Sequence, residues 1–288
     1  MKKLLTIMII LVLATAAFAD SIFSMRAAGA FDLVSAKTPP SATTRPSYAA
    51  DFNNTVINTP GFGFDVGMDL MLGDTIGLYG DFSMTFPSKV SLGDSTYTRS
   101  QLEDVVEKEK SDCESGIDIP DVGTNIKFKD IKSNVFLTTV SAHLGFSKAI
   151  NTGDNPFRVA LGGGVGYTRN STGYRMTMIR VESDGKLYHM DDYEVFSTLS
   201  LDMYINAEYK MGNHFSVGAV LMPGFVFFNS SKAYSTALPT DTASYPVDDS
   251  TYYSTDSEKR NGMKPVYENS GFTTGFSLNT AIGITYHF

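Results

Sequence analysis

Tryptophan is absent from this chain, and cysteine occurs once, as Cys113. One cysteine excludes an intrachain disulfide, so stability has to come from elsewhere, and Cys113 reads as a free loop thiol. Past the N-terminus there is no apolar run of about 18 residues, which excludes a second transmembrane helix. Cations are scarce: 23 Lys and Arg face 31 Asp and Glu, a formal charge of −8. A chain of that sign is repelled by a phosphate backbone, so nucleic acid is not an expected partner. Organised chemistry is also missing. There is no Gly-x-Ser-x-Gly elbow, and Gly162-Gly163-Gly164 lies within a strand pattern rather than between a strand and a helix. His189, Asp191 and Asp192 have no metal-specific spacing. The chain is expected to be no enzyme and to carry no metal or cofactor.

The N-terminus is built for export. Met1-Lys2-Lys3 is a charged n-region, Leu4 to about Ala14 is apolar, and Ala17-Phe18-Ala19 is an A-x-A site. Cleavage is expected after Ala19, giving a signal peptide over 1–19 and a mature domain over 20–288. Loss of Lys2 and Lys3 takes the charge to −10. No cysteine follows the site to accept a lipid.

Period-two alternation then recurs along the chain. It predicts strands near Ser21–Val34, Gly61–Leu72, Thr75–Phe86, Val135–Lys148, Phe157–Tyr167, Tyr193–Tyr209, Phe215–Phe228 and Phe272–Phe288. Gly73-Asp74, Asn151–Pro156 and Met211–His214 read as short turns. Long loops are expected near 35–60, 87–134, 168–192 and 229–271. Short turns at one end and long loops at the other are the layout of a membrane barrel. Phe146, Phe157, Tyr209, Phe215, Tyr286 and Phe288 fall near the short turns and suggest one aromatic girdle. Phe62, Phe86, Phe136, Tyr167, Phe225 and Phe272 suggest the other.

The last strand, Thr280–Phe288, puts Ile282, Ile284, Tyr286 and Phe288 on one face and ends on the aromatic residue. It resembles the C-terminal strand of bacterial outer-membrane β-barrels. That resemblance implies that Tyr286 and Phe288 form the insertion signal read by the barrel-assembly machinery. The chain as a whole resembles the small OmpA/OmpX/OmpW-type barrels. It implies an all-β, transmembrane, antiparallel up-and-down barrel of eight strands in the outer membrane of a diderm, Gram-negative-type envelope. Membrane lipid would be one partner, and a wall-anchoring role is not expected. A soluble lipocalin would also have eight strands, but the Gly-x-Trp signature is missing and the polar face is poor in Lys.

Parity directs Arg26, Asp32, Asp65, Asp69, Tyr79, Asp81, His143, Arg158, Asp202, Tyr204, Asn206, Glu208 and Asn279 inward. The lumen candidates are Arg26, Asp65, Asp69, Asp81, His143, Arg158, Asp202 and Glu208. They read either as a hydrogen-bonded plug or as a narrow, cation-tolerant path. The plug is the preferred reading for anything larger than water or small ions, while inward Gly162, Gly164 and Gly166 reduce the filling and keep a small conduit as an alternative. Pro223 interrupts the seventh strand and predicts a bulge. By resemblance to the OmpW group, it is a lateral-opening candidate for apolar solutes.

Among the loops, Ser100–Lys110 reads as a short charged helix. Arg175–Tyr193 reads as a hairpin turning at Asp184-Gly185, and 229–271 is rich in Tyr, Ser, Thr and Asp, including Tyr245, Tyr252 and Tyr253. Two functions follow. One is a narrow, porin-like channel for small solutes. The other is a surface adhesion or interaction protein whose loops bind an extracellular ligand over a filled barrel. Oligomeric state is not legible.

Overall fold

The computed structural model describes residues 21–37, 56–58, 61–72, 76–92, 95–119, 124–150, 156–181, 187–235 and 267–288. The signal peptide, the turns Gly73-Asp74 and Asp184-Gly185, and Tyr245, Tyr252 and Tyr253 lie outside them.

Eight long antiparallel strands form a closed ring. They are β1 (Ser21–Lys37), β3 (Gly61–Leu72), β4 (Ile76–Pro87), β9 (Phe128–Ile150), β10 (Phe157–Arg180), β11 (Leu187–Lys210), β12 (Phe215–Ser235) and β13 (Tyr267–His287). Each pairs with its neighbours, and β13 returns to β1. Closure leaves no free edge in the spanning region, the condition for placing strands in lipid. The register gives the stagger directly. Arg26 leads through Gly67, Asp81, His143 and Gly166, then through Ser200, Val226 and Gly275, back to Ala36 on β1. The circuit thus climbs ten residues along β1, from Arg26 to Ala36. In eight strands such a stagger requires a tilt of about 40°.

Polarity is inverted relative to a soluble protein. On β9, Thr139, Ser141, His143 and Ser147 are buried, whereas Leu144 and Phe146 are 62% and 66% exposed. Aromatic rings mark both margins of the apolar exterior. At the short-turn end Phe157 pairs with Tyr209 and Phe215 with Tyr286, with Phe288 packed between Tyr286 and Phe23. At the long-loop end Phe62 pairs with Phe86 and Phe225 with Phe276. From Phe157 to Tyr167, or Phe215 to Phe225, is ten residues. At about 3.3 Å per residue and that tilt, the band is about 25 Å tall, the height of a bilayer's apolar layer.

The strands run farther than alternation suggests. Residues 128–134, 168–180, 187–192, 229–235 and 267–271, expected as loop, extend β9 to β13 above the band. The Arg175–Tyr193 hairpin is therefore the tip of β10 and β11. On β10 the apolar face switches at the same level. Val159, Leu161, Val165 and Tyr167 point outward, whereas Tyr174, Met176 and Met178 point inward and are buried. Water surrounds the extension, so its greasy side turns in. Short strands β2 (Val56–Asn58), β5 (Lys89–Leu92) and β6 (Ser95–Thr98) add to the β1 side, and β7 (Ile117–Ile119) pairs with β8 (Thr124–Ile126).

The expected short helix is longer, α1 (Arg99–Ser115). Thr98 caps it: its hydroxyl accepts from the Gln101 N–H, and the Gln101 side chain accepts from the Thr98 N–H. That capping box satisfies two otherwise orphaned donors. Leu102, Val106 and Cys113 are buried along α1. Val106 and Cys113 pack with Phe128, Tyr174, Met176 and Met178, so α1 lines the inner face of the β9–β10 extension. Cys113 is thus a packed helix residue, not a loop thiol.

Candidate functional site

The lumen is filled in layers. At the short-turn end Glu208 accepts from Asn206 Nδ2 (2.9 Å), Ser216 Oγ (3.2 Å) and Thr285 Oγ1 (3.3 Å). His287 Nε2 lies 2.9 Å from Ser216 Oγ and 3.6 Å from Glu208. Arg158 stands opposite Glu208 in the register and is half-buried at this rim.

Above it the Tyr204 hydroxyl donates to both oxygens of Asp69, at 3.0 and 3.1 Å. Its ring stacks on Tyr79 with centroids 4.0 Å apart. Ala160, Val220 and Met222 pack against this pair. The next layer is charged. Arg26 Nε donates to Asp65 Oδ1 at 2.9 Å, and Arg26 Nη2 donates to Asp81 Oδ2. His143 Nδ1 meets Asp202 Oδ2 at 2.7 Å. All five of these groups are buried. A fourth layer gathers on Asp32, which accepts from Ser83 (2.9 Å), Thr85 (3.3 Å), Ser141 (3.3 Å) and Asn279 (2.5 Å). Buried charge in a low dielectric demands such partners.

An apolar seal lies on top. Val34, Ala36, Val90, Leu137, Phe196 and Val226 form one cluster around Leu102 of α1. Strands β1, β5, β9, β11 and β12 all contribute, so the cluster crosses the whole mouth.

Inward glycines do not open the small conduit that the sequence pattern leaves as a reading. Gly162 lies against the backbone of Phe146 and Ser147, and several others are sockets for side chains from other strands. A Cβ on Gly164 would lie 2.6 Å from the Tyr79 hydroxyl, and one on Gly145 2.8 Å from its ring. A Cβ on Gly67 would lie 2.5 Å from the Arg26 guanidinium. Gly166 makes room for His143 and Asp202.

Pro223 does not form the expected bulge. It pairs with Leu278 in unbroken register, and toward β11 the ladder merely skips from Asp202–Gly224 to Ile205–Leu221 in the same register. A missing N–H removes a bond without displacing the chain. The register shifts near Phe227 instead, between Val226 and Phe228.

The structure thus brings Asp65, Asp81 and Arg26 together, pairs His143 with Asp202, and separates Asp69 and Glu208 into their own layers. Sequence reasoning expected Arg26, Arg158 and hydroxyl partners for the carboxylates without naming the hydroxyls, and it missed the seal and the part played by α1. Leu102, Val106 and Cys113 fall at helical spacing, which is a readable signal for the last.

No family model and no curated protein matches the chain. Solved structures similar to it include a major outer membrane protein of Thermus thermophilus, 14% identical, covering 93% of this chain and 99% of that one (TM-score 0.42). OprG from Pseudomonas aeruginosa is 10% identical, covering 93% and 96% (TM-score 0.42). The attachment invasion locus protein Ail of Yersinia pestis is 9% identical, covering 93% and 99% (TM-score 0.34). Ring closure, an apolar exterior of bilayer height and a hydrogen-bonded polar interior make this chain an eight-stranded antiparallel transmembrane β-barrel.

Proposed function

We propose that the protein is an outer-membrane barrel with a filled lumen, whose task is carried by the elements above the membrane. The supporting observation is the continuous stack of buried inward side chains from Glu208 to Leu102. Eight strands enclose only enough room for side chains, and here the side chains use it. The short-turn end faces the periplasm in this reading, and the extended β9–β12 wall with α1 faces the outside. That unit is braced by an apolar core of its own, a rigid platform for contact with an extracellular ligand. Catalysis has no place in the proposal.

The narrow channel is the second reading. Six carboxylates line the interior, and Asp65 Oδ2, Asp81 Oδ1 and Asp202 Oδ1 are buried without a hydrogen-bond partner. Such oxygens favour a hydrated cation path. Planar-bilayer conductance of the refolded barrel separates the two. Silence from correctly folded protein supports the filled scaffold. Discrete steps that vanish when Asp65 and Asp69 are replaced by bulky residues overturn it.

A further inference from the structure

Strands β4 and β9 differ in length, and the mismatch leaves an edge. The last β4–β9 pair is Thr85 with Thr139, whereas β9 continues upward to Phe128. On its other side this stretch stays paired with β10. Among the described residues no strand pairs with β9 from Lys132 to Thr138 on the β4 side. The short strands above β4 do not fill the place, because β6 ends its sheet without pairing to β9.

This edge is held ready. Val135 and Leu137 pack inward into the apolar clusters that include α1, which fixes the strand in extended form. Ser133 and Asn134 are exposed. A preformed edge offers main-chain donors and acceptors at no ordering cost to itself, the basis of strand addition. Asp130, at φ 54°, and the register shift opposite Thr177 and Ile179 break the edge below residue 132 in sequence, so the regular stretch is short.

Charge selects the occupant. Lys132 is exposed at the start of this stretch, and Lys129 and Lys127 are exposed just beyond it, with Asp130 the one exposed acid among them. On a chain of net charge −8, that is a reversal of sign along β9 itself, the exposed acids Glu103, Asp104 and Glu107 belonging to α1 on its inner side. We propose that the β9 edge from Lys132 to Thr138 is a strand-addition site for an extended, acidic peptide segment of a partner protein. The proposal rests on the reading that this end of the barrel faces outward and carries the function.

The test uses the full refolded barrel and a capped heptapeptide of alternating Glu and Val, with a Lys-Val peptide as its control. Amide hydrogen exchange is followed at residues 132–138. The expected result is fast exchange at alternate amides in the free protein, slowed about tenfold by the Glu-Val peptide and not by the Lys-Val peptide. The K129E/K132E variant, with folding checked by heat-modifiable gel migration, should reverse the preference. Protection of every amide from 132 to 138 without peptide overturns the proposal, as does peptide-independent protection that grows with protein concentration. Absence of Glu-Val binding overturns it too. A silent bilayer with no peptide binding removes this inference alone, whereas conductance steps with peptide binding remove only the filled-barrel reading.

Discussion

Tyr79 and Tyr204 stack across the lumen with ring centroids 4.0 Å apart and planes within 10° of parallel. One comes from β4 and the other from β11, on different sides of the barrel. Together they are the bulkiest obstruction in the middle of the interior. The double variant Y79A/Y204A empties that layer alone and leaves the Arg26 and Asp32 layers and the apolar seal in place, so its bilayers should stay silent. Single-channel recording reads this directly, and discrete steps would show that the tyrosine pair by itself closes the lumen. Each single change should cost about 3 kcal/mol in a reversible unfolding assay.

Arg26 sits between two carboxylates, Asp65 and Asp81. Removing it strands both as buried charges. Arg26→Leu is expected to destabilise the barrel by about 3–5 kcal/mol. D65N/D81N added to it should recover much of the loss, because a neutral amide tolerates burial better than an unpaired carboxylate. Urea titration in lipid vesicles measures both steps, and no rescue would show that the guanidinium acts mainly by filling space.

The sockets give a paired prediction. Gly67→Ala puts a methyl against the Arg26 guanidinium, whose atoms are its three nearest neighbours, and should destabilise by about 1–3 kcal/mol. In an Arg26→Leu background the same change should cost less, since the clashing guanidinium is gone. The double-mutant cycle yields the coupling, and additive costs would disprove the contact.

Cys113 provides a chemical readout of the upper unit. Burial beneath the β9–β10 wall, aided by Glu109, Asp112 and Glu114, pushes its thiol up to about 11. The thiol is therefore neutral at about pH 8 and inaccessible, so a maleimide should label it far more slowly than an unfolded chain. The linkage sign follows. An acid raised on folding contributes stability below its unfolded value and loses it as pH rises from there toward about 11. Fast labelling of folded protein under the same conditions would show that α1 leaves its seat.

Much of this molecule is readable in the sequence because lipid and lumen impose opposite demands on neighbouring residues. Val159, Leu161, Val165 and Tyr167 alternate with small or polar residues, and that pattern alone sets β10 across the membrane. It fails just above. Between Thr168 and Gly173 the apolar side passes from odd to even positions, which in a linear reading looks like the end of a strand. The inward carboxylates are legible by the same parity. Their partners are not, because Asp32 collects donors 51, 53, 109 and 247 residues away. Glycine sockets escape for a related reason: Gly164 looks like empty space until Tyr79, from another strand, is placed against it.

The change of apolar side along β10 also has a mechanical meaning. A barrel greasy along its whole outer length could bob in the bilayer, trading one apolar row for the next at little cost. Here upward travel would lift Tyr167 into water, and downward travel would draw the polar outer flank of the extension into hydrocarbon. Both directions oppose the displacement, so the barrel floats at a single waterline. Anything carried by the wall above is thereby held at a constant height over the bilayer.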